Sequence, residues 1–376
     1  MESKNTFLNF FTIWFKTIDL LNLTLIFFLI LLGILFVTTS SPSIAKLKGL
    51  EDFYFIKKQI TFSVISIGLL VLFSMFSLRG ITFISLIGCI FFMFLTILTL
   101  IIGQSYNGAS RWIKIYSFSL QPTEFLKPFL IIIFSYLLAK KEINLFKLVK
   151  MRTVIIAFSL LLITSIMLLL QPNFSMIAII FLVFLSQFFL SPHNYKWIFL
   201  FLTSLTVFIT VAYTNMSHVK YRIDNYINIS KPHYQIEKSI LAYQKGGVLG
   251  KGPGEGNIKK YIPDAHTDFI FPVIAEEYGG SACLAIIIII FTIFFRGLFM
   301  ASKSMNVSSI IAVCGLLNLF IVQALINIGV SMKLIPTTGI TLPFISYGGS
   351  SLISMSISMG IVLSLTRRKY GGQYKF

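Results

Sequence analysis

Four carboxylates and a histidine stand together in the sequence, just before a long apolar segment. They are Asp264, His266, Asp268, Glu276 and Glu277, in a chain with only 13 acidic residues. Ionisable groups at a membrane boundary are costly unless they face a protein interior or a wet cavity, so they are functional candidates. A partly desolvated carboxylate can serve as a general base near neutral pH. This stretch is therefore predicted to form the active site.

Asp268 is the candidate catalytic residue of the stretch. It falls where a helix is expected to begin, so a simple N-cap is the alternative interpretation. A helix N-terminus would lower its pKa, whereas apolar neighbours and Asp264 would raise it, and the sequence leaves that balance open. His266 is predicted to orient its neighbours, because no second metal ligand stands at a recognisable spacing. Glu276 and Glu277 lie deeper, and one of them is expected to pair with a basic residue.

Two further groups of charged residues could contact an anionic substrate. Glu124 and Lys127 are three residues apart at the start of an apolar segment, so they can meet on one helix face. A self-neutralising ion pair and the lining of a polar cavity both remain open for them. Six glycines fall between Gly246 and Gly256, and Lys259 and Lys260 follow. Such a loop can bring backbone N–H groups and lysines to a pyrophosphate, although a flexible turn explains it equally well.

The composition determines the class of protein that must position these residues. The chain has 376 residues, of which 56% are hydrophobic and 12% charged, whereas soluble domains carry roughly 25% charged residues. The sequence predicts an all-α, polytopic membrane protein. Its net charge of +18 is dispersed among loops, which argues against nucleic-acid binding and for attraction to anionic lipid headgroups.

About ten apolar segments are long enough to span a bilayer, which takes about 20 residues each. The predicted spans are 20–39, 60–78, 81–102, 124–139, 153–170, 174–191, 196–214, 268–296, 308–330 and 344–366. Basic residues are more numerous on the side of the two termini, which predicts that both termini are cytoplasmic. Residues 215–267 then form a long outer loop between spans 7 and 8, on the same face as Asp268. We expect one integral-membrane domain over residues 1–376, with its spans within 20–368.

Several motifs together resemble one known family. They are Asn107-Gly108-Ala109-Ser110-Arg111-Trp112, Gln121-Pro122-Thr123-Glu124-Phe125-Leu126-Lys127, Gly252-Pro253-Gly254-Glu255-Gly256, His266-Thr267-Asp268-Phe269-Ile270-Phe271 and the segment 336–350. Their ordered set is similar to the SEDS family (shape, elongation, division and sporulation). The resemblance implies a ten-span peptidoglycan glycosyltransferase that polymerises lipid II at the outer face of the cytoplasmic membrane.

The resemblance also implies roles for individual residues. Asp268 matches the essential acidic residue of the family, and Glu124 and Lys127 match its Gln-Pro-x-Glu-x-x-Lys motif. The Gly-Pro-Gly-Glu-Gly run and Thr341 favour the division branch, FtsW, over the elongation branch, RodA. Asn173 and Ser175 stand where the family usually has Asp and Gly, so a role that needs a charge at position 173 is not expected from this chain.

The hypothesis is that Asp268 accepts a proton from the 4-hydroxyl of the acceptor sugar as that oxygen attacks the donor. Arg111, Lys127 and either Lys259 or Lys260 would offset charge on the departing pyrophosphate. A divalent cation, Mg²⁺ or Mn²⁺, is a candidate cofactor. The implied partners are a class B penicillin-binding protein and other division proteins.

Two alternatives remain open from the sequence. A flippase for the lipid-linked precursor would use the intramembrane charges as a translocation path. A non-catalytic scaffold would position the partner synthase and would tolerate loss of the Asp268 carboxylate.

Overall fold

The chain folds as a bundle of apolar helices with short β-hairpins at its ends. The computed structural model describes residues 11–106, 109–115, 118–145, 149–193, 196–197 and 234–367, together with single positions between 199 and 224. The helices are α1 Leu20–Leu47, α2 Tyr54–Met75, α3 Leu78–Ile102, α4 Pro122–Leu138, α5 Thr153–Leu170, α6 Phe174–Phe189, α7 Tyr234–Gly246, α8 Ile270–Ser302, α9 Val307–Ser331 and α10 Gly349–Leu365.

Nine of the ten predicted spans coincide with helices. Within the described ranges, α1, α2, α3, α5, α8 and α9 are long and apolar enough to cross a membrane, and α6 and α10 are shorter apolar helices. The predicted span 196–214 lies largely outside the described residues, as do most of residues 215–233. The described part of the predicted outer loop contains the amphipathic helix α7 and a 3₁₀ turn, Ile258–Tyr261. The all-helical, polytopic fold class is confirmed.

Small β-structures occur at both ends of the bundle, and the sequence analysis did not predict them. Strands β1 Gln104–Tyr106, β2 Ala109–Ile115 and β3 Phe118–Leu120 form an antiparallel sheet between α3 and α4. Strands β4 Glu142–Leu145 and β5 Val149–Arg152 form a hairpin between α4 and α5. In these connections, strand pairing supplies hydrogen-bond partners for the backbone N–H and C=O groups that no helix pairs.

Helix α4 is the centre of the bundle and packs against α3, α5, α6, α9 and α10. Nearly all of its residues are buried, including both ionisable ones. Buried polar groups join it to its neighbours, because an unpaired polar group in an apolar core is costly. Gln187 of α6 donates to the backbone oxygens of Ile131 in α4, at 3.0 Å, and of Ile311 in α9, at 3.2 Å. Ser350 of α10 accepts from the backbone nitrogen of Gln121 at 3.1 Å.

Helix α1 contacts α8 and the segment that joins α9 to α10. At one end, Asp19 is buried and Arg296 Nη2 lies 2.7 Å from its Oδ1. Farther along α1, Gly33 faces the segment that joins α9 to α10, where a Cβ at position 33 would lie 2.3 Å from the carbonyl oxygen of Phe344. A side chain at this position would therefore separate α1 from that segment.

Candidate active site

Asp268 lies in a turn immediately before α8. The carbonyl oxygen of Asp264 closes the turn, because it accepts from the backbone nitrogens of Thr267 at 3.0 Å and Phe269 at 3.4 Å. Asp264 has φ of 55°, a left-handed conformation that Asp tolerates better than most residues. The N-cap of α8 is Phe269, which makes no side-chain cap bond. The alternative interpretation of Asp268 as an N-cap is therefore wrong.

The segment between α9 and α10, residues 332–348, is irregular and packs against this turn. Asn327 of α9 joins the two, since its Nδ2 donates to the backbone oxygens of Asp268 at 2.8 Å and Ile340 at 2.7 Å. Ser346 Oγ donates to the backbone oxygen of Thr267 at 2.6 Å. These side-chain hydrogen bonds fix the backbone on both sides of the candidate base.

Asp268 is half-buried as a residue, and its carboxyl group faces the same segment. Its Oδ2 would lie 3.6 Å from a Cβ placed on Gly339, whose φ of 73° favours glycine. Burial raises the pKa of Asp268 to about 7, and the negative charge of Asp264 adds to this effect. A carboxyl group with this pKa can both take up and release a proton near neutral pH.

His266 is buried in an aromatic contact beside the turn. Its ring centroid lies 4.5 Å from that of Phe55 and 5.2 Å from that of Tyr347. Its carbonyl oxygen accepts from the backbone nitrogen of Tyr347 at 2.9 Å. Burial lowers the pKa of His266 to about 3, with a further effect from Lys48, so the imidazole is neutral at physiological pH. This geometry fits the predicted orienting role, and a direct contact with substrate stays a prediction.

Glu276, near the start of α8, is fully buried and accepts three backbone hydrogen bonds. Its Oε1 accepts from Asn257 at 2.8 Å and Ile258 at 2.9 Å, and its Oε2 accepts from Lys259 at 3.1 Å. These nitrogens lie at the start of the 3₁₀ turn, where backbone donors lack partners within the helix. Glu276 thereby fixes the 3₁₀ turn to α8.

Glu277 forms a buried ion pair with Lys259, at 2.5 Å between Oε1 and Nζ. The same ammonium donates to the carbonyl oxygens of Thr39 at 2.8 Å and Gly254 at 3.0 Å. The predicted pairing of one of the two glutamates with a basic residue is confirmed. Lys259 thus has a structural function, and a substrate contact for it stays a prediction.

Lys260 differs from Lys259 because its side chain is exposed, with Nζ 3.5 Å from Asn257 Oδ1. Both lysines border a groove of about 630 Å³ between α1 and the glycine-rich loop, together with Lys46 and the apolar Leu47. The groove combines ammonium groups with apolar walls, as a lipid-linked anion requires.

The glycine-rich loop, residues 246–256, pairs with a break in α8. Gly279 has φ of 82° within the helix, so the neighbouring backbone groups lack helical partners. The loop supplies them through backbone hydrogen bonds at the break. Gly280 N donates to Gly247 O at 2.9 Å, Ser281 N to Val248 O at 3.1 Å, Lys251 N to Glu276 O at 3.0 Å and Gly252 N to Glu277 O at 2.9 Å. The backbone N–H groups of Lys251 and Gly252 therefore already have acceptors within the protein. Pairing with the break in α8 explains the glycines of the loop without pyrophosphate binding.

Glu124 and Lys127 form an ion pair inside the bundle, at 2.8 Å between Oε2 and Nζ. Both side chains are almost completely buried, and Ser354 of α10 donates to the backbone oxygen of Glu124 at 2.6 Å. The structure thus has the ion pair that was one of the two interpretations of this motif. Contact of either residue with substrate stays a prediction.

Arg111, on β2, contacts the short turn between α5 and α6. Its Nε donates to the backbone oxygen of Gln171 at 3.1 Å, and its Nη2 donates to that of Pro172. The side chain of Gln171 donates to the backbone oxygen of Thr96 at 3.0 Å. Arg111 is half-buried and joins this turn to the β-sheet, while Gln171 joins the turn to α3. A contact of Arg111 with pyrophosphate stays a prediction.

Two residues that position the site were not singled out as site residues in the sequence. Ser175 stood out only as a departure from the family pattern, yet its Oγ donates to the backbone oxygen of Thr338 at 3.2 Å. Asn327 was not noted, although an amide within an apolar span is a recognisable signal of interhelical hydrogen bonding. Both residues hold the segment that contacts Asp268.

The residues that the structure describes contain no group of three or more His, Cys, Asp or Glu that could hold a metal ion. Asp264 and Asp268 are close enough for one carboxylate to raise the pKa of the other. A divalent cation at this site would take its ligands mainly from water and substrate oxygens, as Mg²⁺ often does. The cation therefore stays a prediction.

Comparison with known proteins gives consistent relatives over nearly the whole chain. FtsW of Caulobacter vibrioides (strain NA1000 / CB15N), named a probable peptidoglycan glycosyltransferase, is 36% identical over 361 residues, which cover 96% of this chain and 92% of the relative. Stage V sporulation protein E of Bacillus subtilis (strain 168) is 29% identical over 359 residues, covering 93% and 97%.

Solved structures show the same fold. A chain from a study titled "Structural coordination of polymerization and crosslinking by a peptidoglycan synthase complex" superposes with a TM-score of 0.76, at 22% identity, over 93% of this chain and 97% of that chain. The rod shape determining protein RodA of Thermus thermophilus superposes with a TM-score of 0.68, at 22% identity, over 93% and 96%. The family described as "Cell cycle protein" matches residues 20–371. The chain therefore belongs to the FtsW/RodA/SpoVE family of cell cycle proteins, the family that the sequence motifs resemble.

Proposed function

We propose that this protein is a peptidoglycan glycosyltransferase that polymerises lipid II into glycan strands during cell division. The observation that carries the proposal is the Asp268 carboxyl group, whose pKa is raised to about 7 in a turn held by Asn327 and Ser346. The name of the Caulobacter relative supports both the reaction and the division branch.

In the proposed reaction, Asp268 accepts the proton of the acceptor 4-hydroxyl as its oxygen bonds to the anomeric carbon of the donor. The bond from that carbon to the pyrophosphate oxygen breaks, and undecaprenyl pyrophosphate leaves with the electron pair. The proton on Asp268 then passes to solvent or to the leaving group. The product is a glycan strand one disaccharide longer.

Positive charge near the leaving group would come from several residues. Lys260 and Lys46 border the groove beside α1 and are the exposed candidates. Arg111, Lys127 and Lys259 would act from within the protein, where a preorganised charge is stronger than in water. Mg²⁺ or Mn²⁺ bound mainly by pyrophosphate oxygens and water would neutralise further charge.

The proposed orientation places the Asp268 face outside the cytoplasmic membrane and both termini inside. The basic residues Lys140, Lys141 and Arg152 lie in the connection between α4 and α5, at the other end of the bundle, and support this orientation by the positive-inside rule. The exposed apolar side chains of α3 and α8 suit contact with lipid tails.

The proposed partners are a class B penicillin-binding protein and the proteins of the division complex. The support is that a structural neighbour comes from a peptidoglycan synthase complex that coordinates polymerisation with crosslinking. An elongation role of the RodA type is the alternative within the family.

The test is lipid II polymerisation by purified protein in detergent, resolved on a gel, with and without the partner. The wild type and Asp264→Asn should form strands, and Asp268→Asn should not. Strands from Asp268→Asn would exclude this residue as the base. An absence of strands from every variant with the partner present, together with lipid II transfer across vesicles, would favour a flippase. Chelation followed by addition of Mg²⁺ or Mn²⁺ tests the cation.

A further inference from the structure

A basic cavity lies at the end of the bundle opposite Asp268. Helix α4 begins beside the β-sheet near the candidate active site and ends at Leu138, and α5 returns from Thr153 to the turn that Arg111 binds. The connection between α4 and α5 is therefore at the far end. The cavity there has a volume of about 510 Å³, with Lys141, Glu142, Arg152, Pro192, His193 and Trp197 in its lining.

The charge of the cavity comes from two exposed cations. Lys141 and Arg152 both line it, and Glu142 is the cross-strand neighbour of Arg152 in the β4–β5 hairpin. Burial lowers the pKa of His193, a backbone hydrogen bond to Lys140 opposes this, and the charge of Lys141 lowers it further. A neutral His193 would add a hydrogen-bonding group without adding charge. The lining carries one more positive charge than negative charge.

The lining of the cavity also includes apolar and aromatic side chains, namely Val154, Pro192 and Trp197. Trp197 stacks on Phe158 of α5, with ring centroids 6.0 Å apart and an interplanar angle of 27°. Tryptophan is enriched at the level of lipid headgroups because its ring is amphipathic. These side chains therefore provide a surface for a glycerol backbone in the same cavity as the cations.

The neighbouring Lys140 contacts Tyr136 and does not line the cavity. Its Nζ lies 4.1 Å from the centroid of the Tyr136 ring and donates to the Tyr136 hydroxyl at 2.8 Å. Adjacent lysines thus differ, since Lys141 lines the cavity and Lys140 does not. This difference supplies a matched control of equal charge.

We propose that this cavity binds the headgroup phosphate of an anionic phospholipid, of the phosphatidylglycerol class. Basic pockets between membrane helices bind such headgroups through lysine and arginine, and arginine binds phosphate oxygens with two parallel hydrogen bonds. The site is separate from the proposed polymerisation chemistry. With the proposed orientation, this lipid would lie in the inner leaflet of the membrane. The binding of the lipid does not depend on that orientation.

The experiment is native mass spectrometry of the purified full-length protein, titrated with phosphatidylglycerol or phosphatidylcholine. The variant Lys141→Ala/Arg152→Ala is compared with Lys140→Ala/Lys303→Ala, which removes the same charge at exposed residues outside the cavity. We expect the wild type and the control to prefer phosphatidylglycerol. The cavity variant should bind it about fivefold more weakly for each basic residue removed.

Equal losses in the two double variants, or no preference in the wild type, would overturn the proposal. Lys141→Ala alone, at an exposed position, gives a second test if the double variant folds poorly, and it should lose about fivefold. Glycerol phosphate distinguishes a lipid site from a site for free phosphate. If it binds as tightly as the lipid with the same dependence on Lys141, or if an acidic peptide displaces the lipid completely, the lipid assignment is wrong.

Discussion

The two parts of the acidic stretch treat their carboxylates differently. Glu276 and Glu277 are buried in α8, and each has partners that compensate its charge, namely three backbone amides for Glu276 and Lys259 for Glu277. Asp268 lies at the entry to the same helix, beside another carboxylate, and its pKa is raised to about 7. Its backbone is fixed by Asn327, while its carboxyl group keeps its affinity for a proton.

The difference separates structural charges from a charge suited to catalysis. The Glu276 carboxylate accepts three backbone hydrogen bonds, so its function is to hold those donors in place. A carboxylate that burial and a like charge destabilise can exchange a proton within the pH range where the protein works. Position along the stretch distinguishes these roles less well than the partners of each side chain do.

Replacement of the candidate base should have the largest effect on activity. Asp268→Asn should reduce lipid II polymerisation by ~10²–10⁴-fold, the usual contribution of a general base, with normal elution on size-exclusion chromatography. Asp264→Asn is the matched control in the same turn, since Asn also tolerates the left-handed conformation. If Asp268→Asn kept wild-type polymerisation, Asp268 would not be catalytic and would not differ in function from Glu276 and Glu277.

The same substitution should not destabilise the protein at alkaline pH. The pKa of Asp268 is about 7 in the folded protein, against an ordinary value of 3.8, so the folded state binds more protons between these values. The free energy of unfolding therefore falls as pH rises through this window. Above about pH 7 the folded state carries the full destabilisation from the ionised Asp268 carboxylate. Asp268→Asn should show a higher unfolding temperature than the wild type at pH 8, measured in detergent. A lower temperature at pH 8 would show that the carboxylate has a stabilising partner.

Disruption of the buried ion pair should have the largest effect on stability. Glu277→Gln leaves the Lys259 ammonium buried without its carboxylate, which should cost about 3–5 kcal/mol. The unfolding temperature and the yield of monodisperse protein should both fall. Lys260→Gln, at the exposed neighbour, is the control and should be close to the wild type.

A second variant tests whether the loss arises from the pair. Replacing both partners, as in Lys259→Met/Glu277→Met, removes the buried charges together and should cost less than Glu277→Gln alone. Additive losses in the double variant would show that the two residues act independently.

A smaller loss of stability is expected at the neighbouring glutamate. Glu276→Gln keeps an acceptor for Asn257 and Ile258 but places an amide donor against the backbone N–H of Lys259. The expected cost is about 1–3 kcal/mol, typical of an unsatisfied buried donor. Hydrogen exchange at residues 257–259 should increase, and unchanged protection there would place the function of Glu276 elsewhere.

The smallest effect is expected on the pH dependence of activity. Polymerisation should decline as pH falls through about 7, because Asp268 becomes protonated. Asp264→Asn removes the negative charge that raises this pKa, so the decline should move to lower pH. The shift should be less than about one unit because Asp264 is exposed and screened by salt. A shift to higher pH would contradict the proposed coupling between the two carboxylates.

The sequence predicted the helices well because each one must satisfy its own backbone in a bilayer. Nine apolar segments correspond to helices, and the interpretation of Glu276 and Glu277 as structural residues agrees with their contacts. The short β-hairpins were missed, since strands of three to seven residues carry little periodic signal.

The contacts around Asp268 were less predictable for a different reason. Asn327 and Ser346 reach the turn from distant parts of the chain, and sequence spacing gives no information on such contacts. The glycine-rich loop was ambiguous because phosphate binding and backbone pairing require the same residue type. Gly279 resolves this ambiguity, since its positive φ creates the donors and acceptors that the loop satisfies.

The buried charge pairs also differ in how early they can form during biosynthesis. Lys259 and Glu277 are 18 residues apart, so a short chain segment can neutralise both before distant helices arrive, at a small loop-closure cost. Asp19 and Arg296 are 277 residues apart, and their contact needs the first and eighth spans side by side. The N-terminal end of α8 can thus acquire its charge partner locally as it is synthesised, while its C-terminal half is completed only when the bundle assembles.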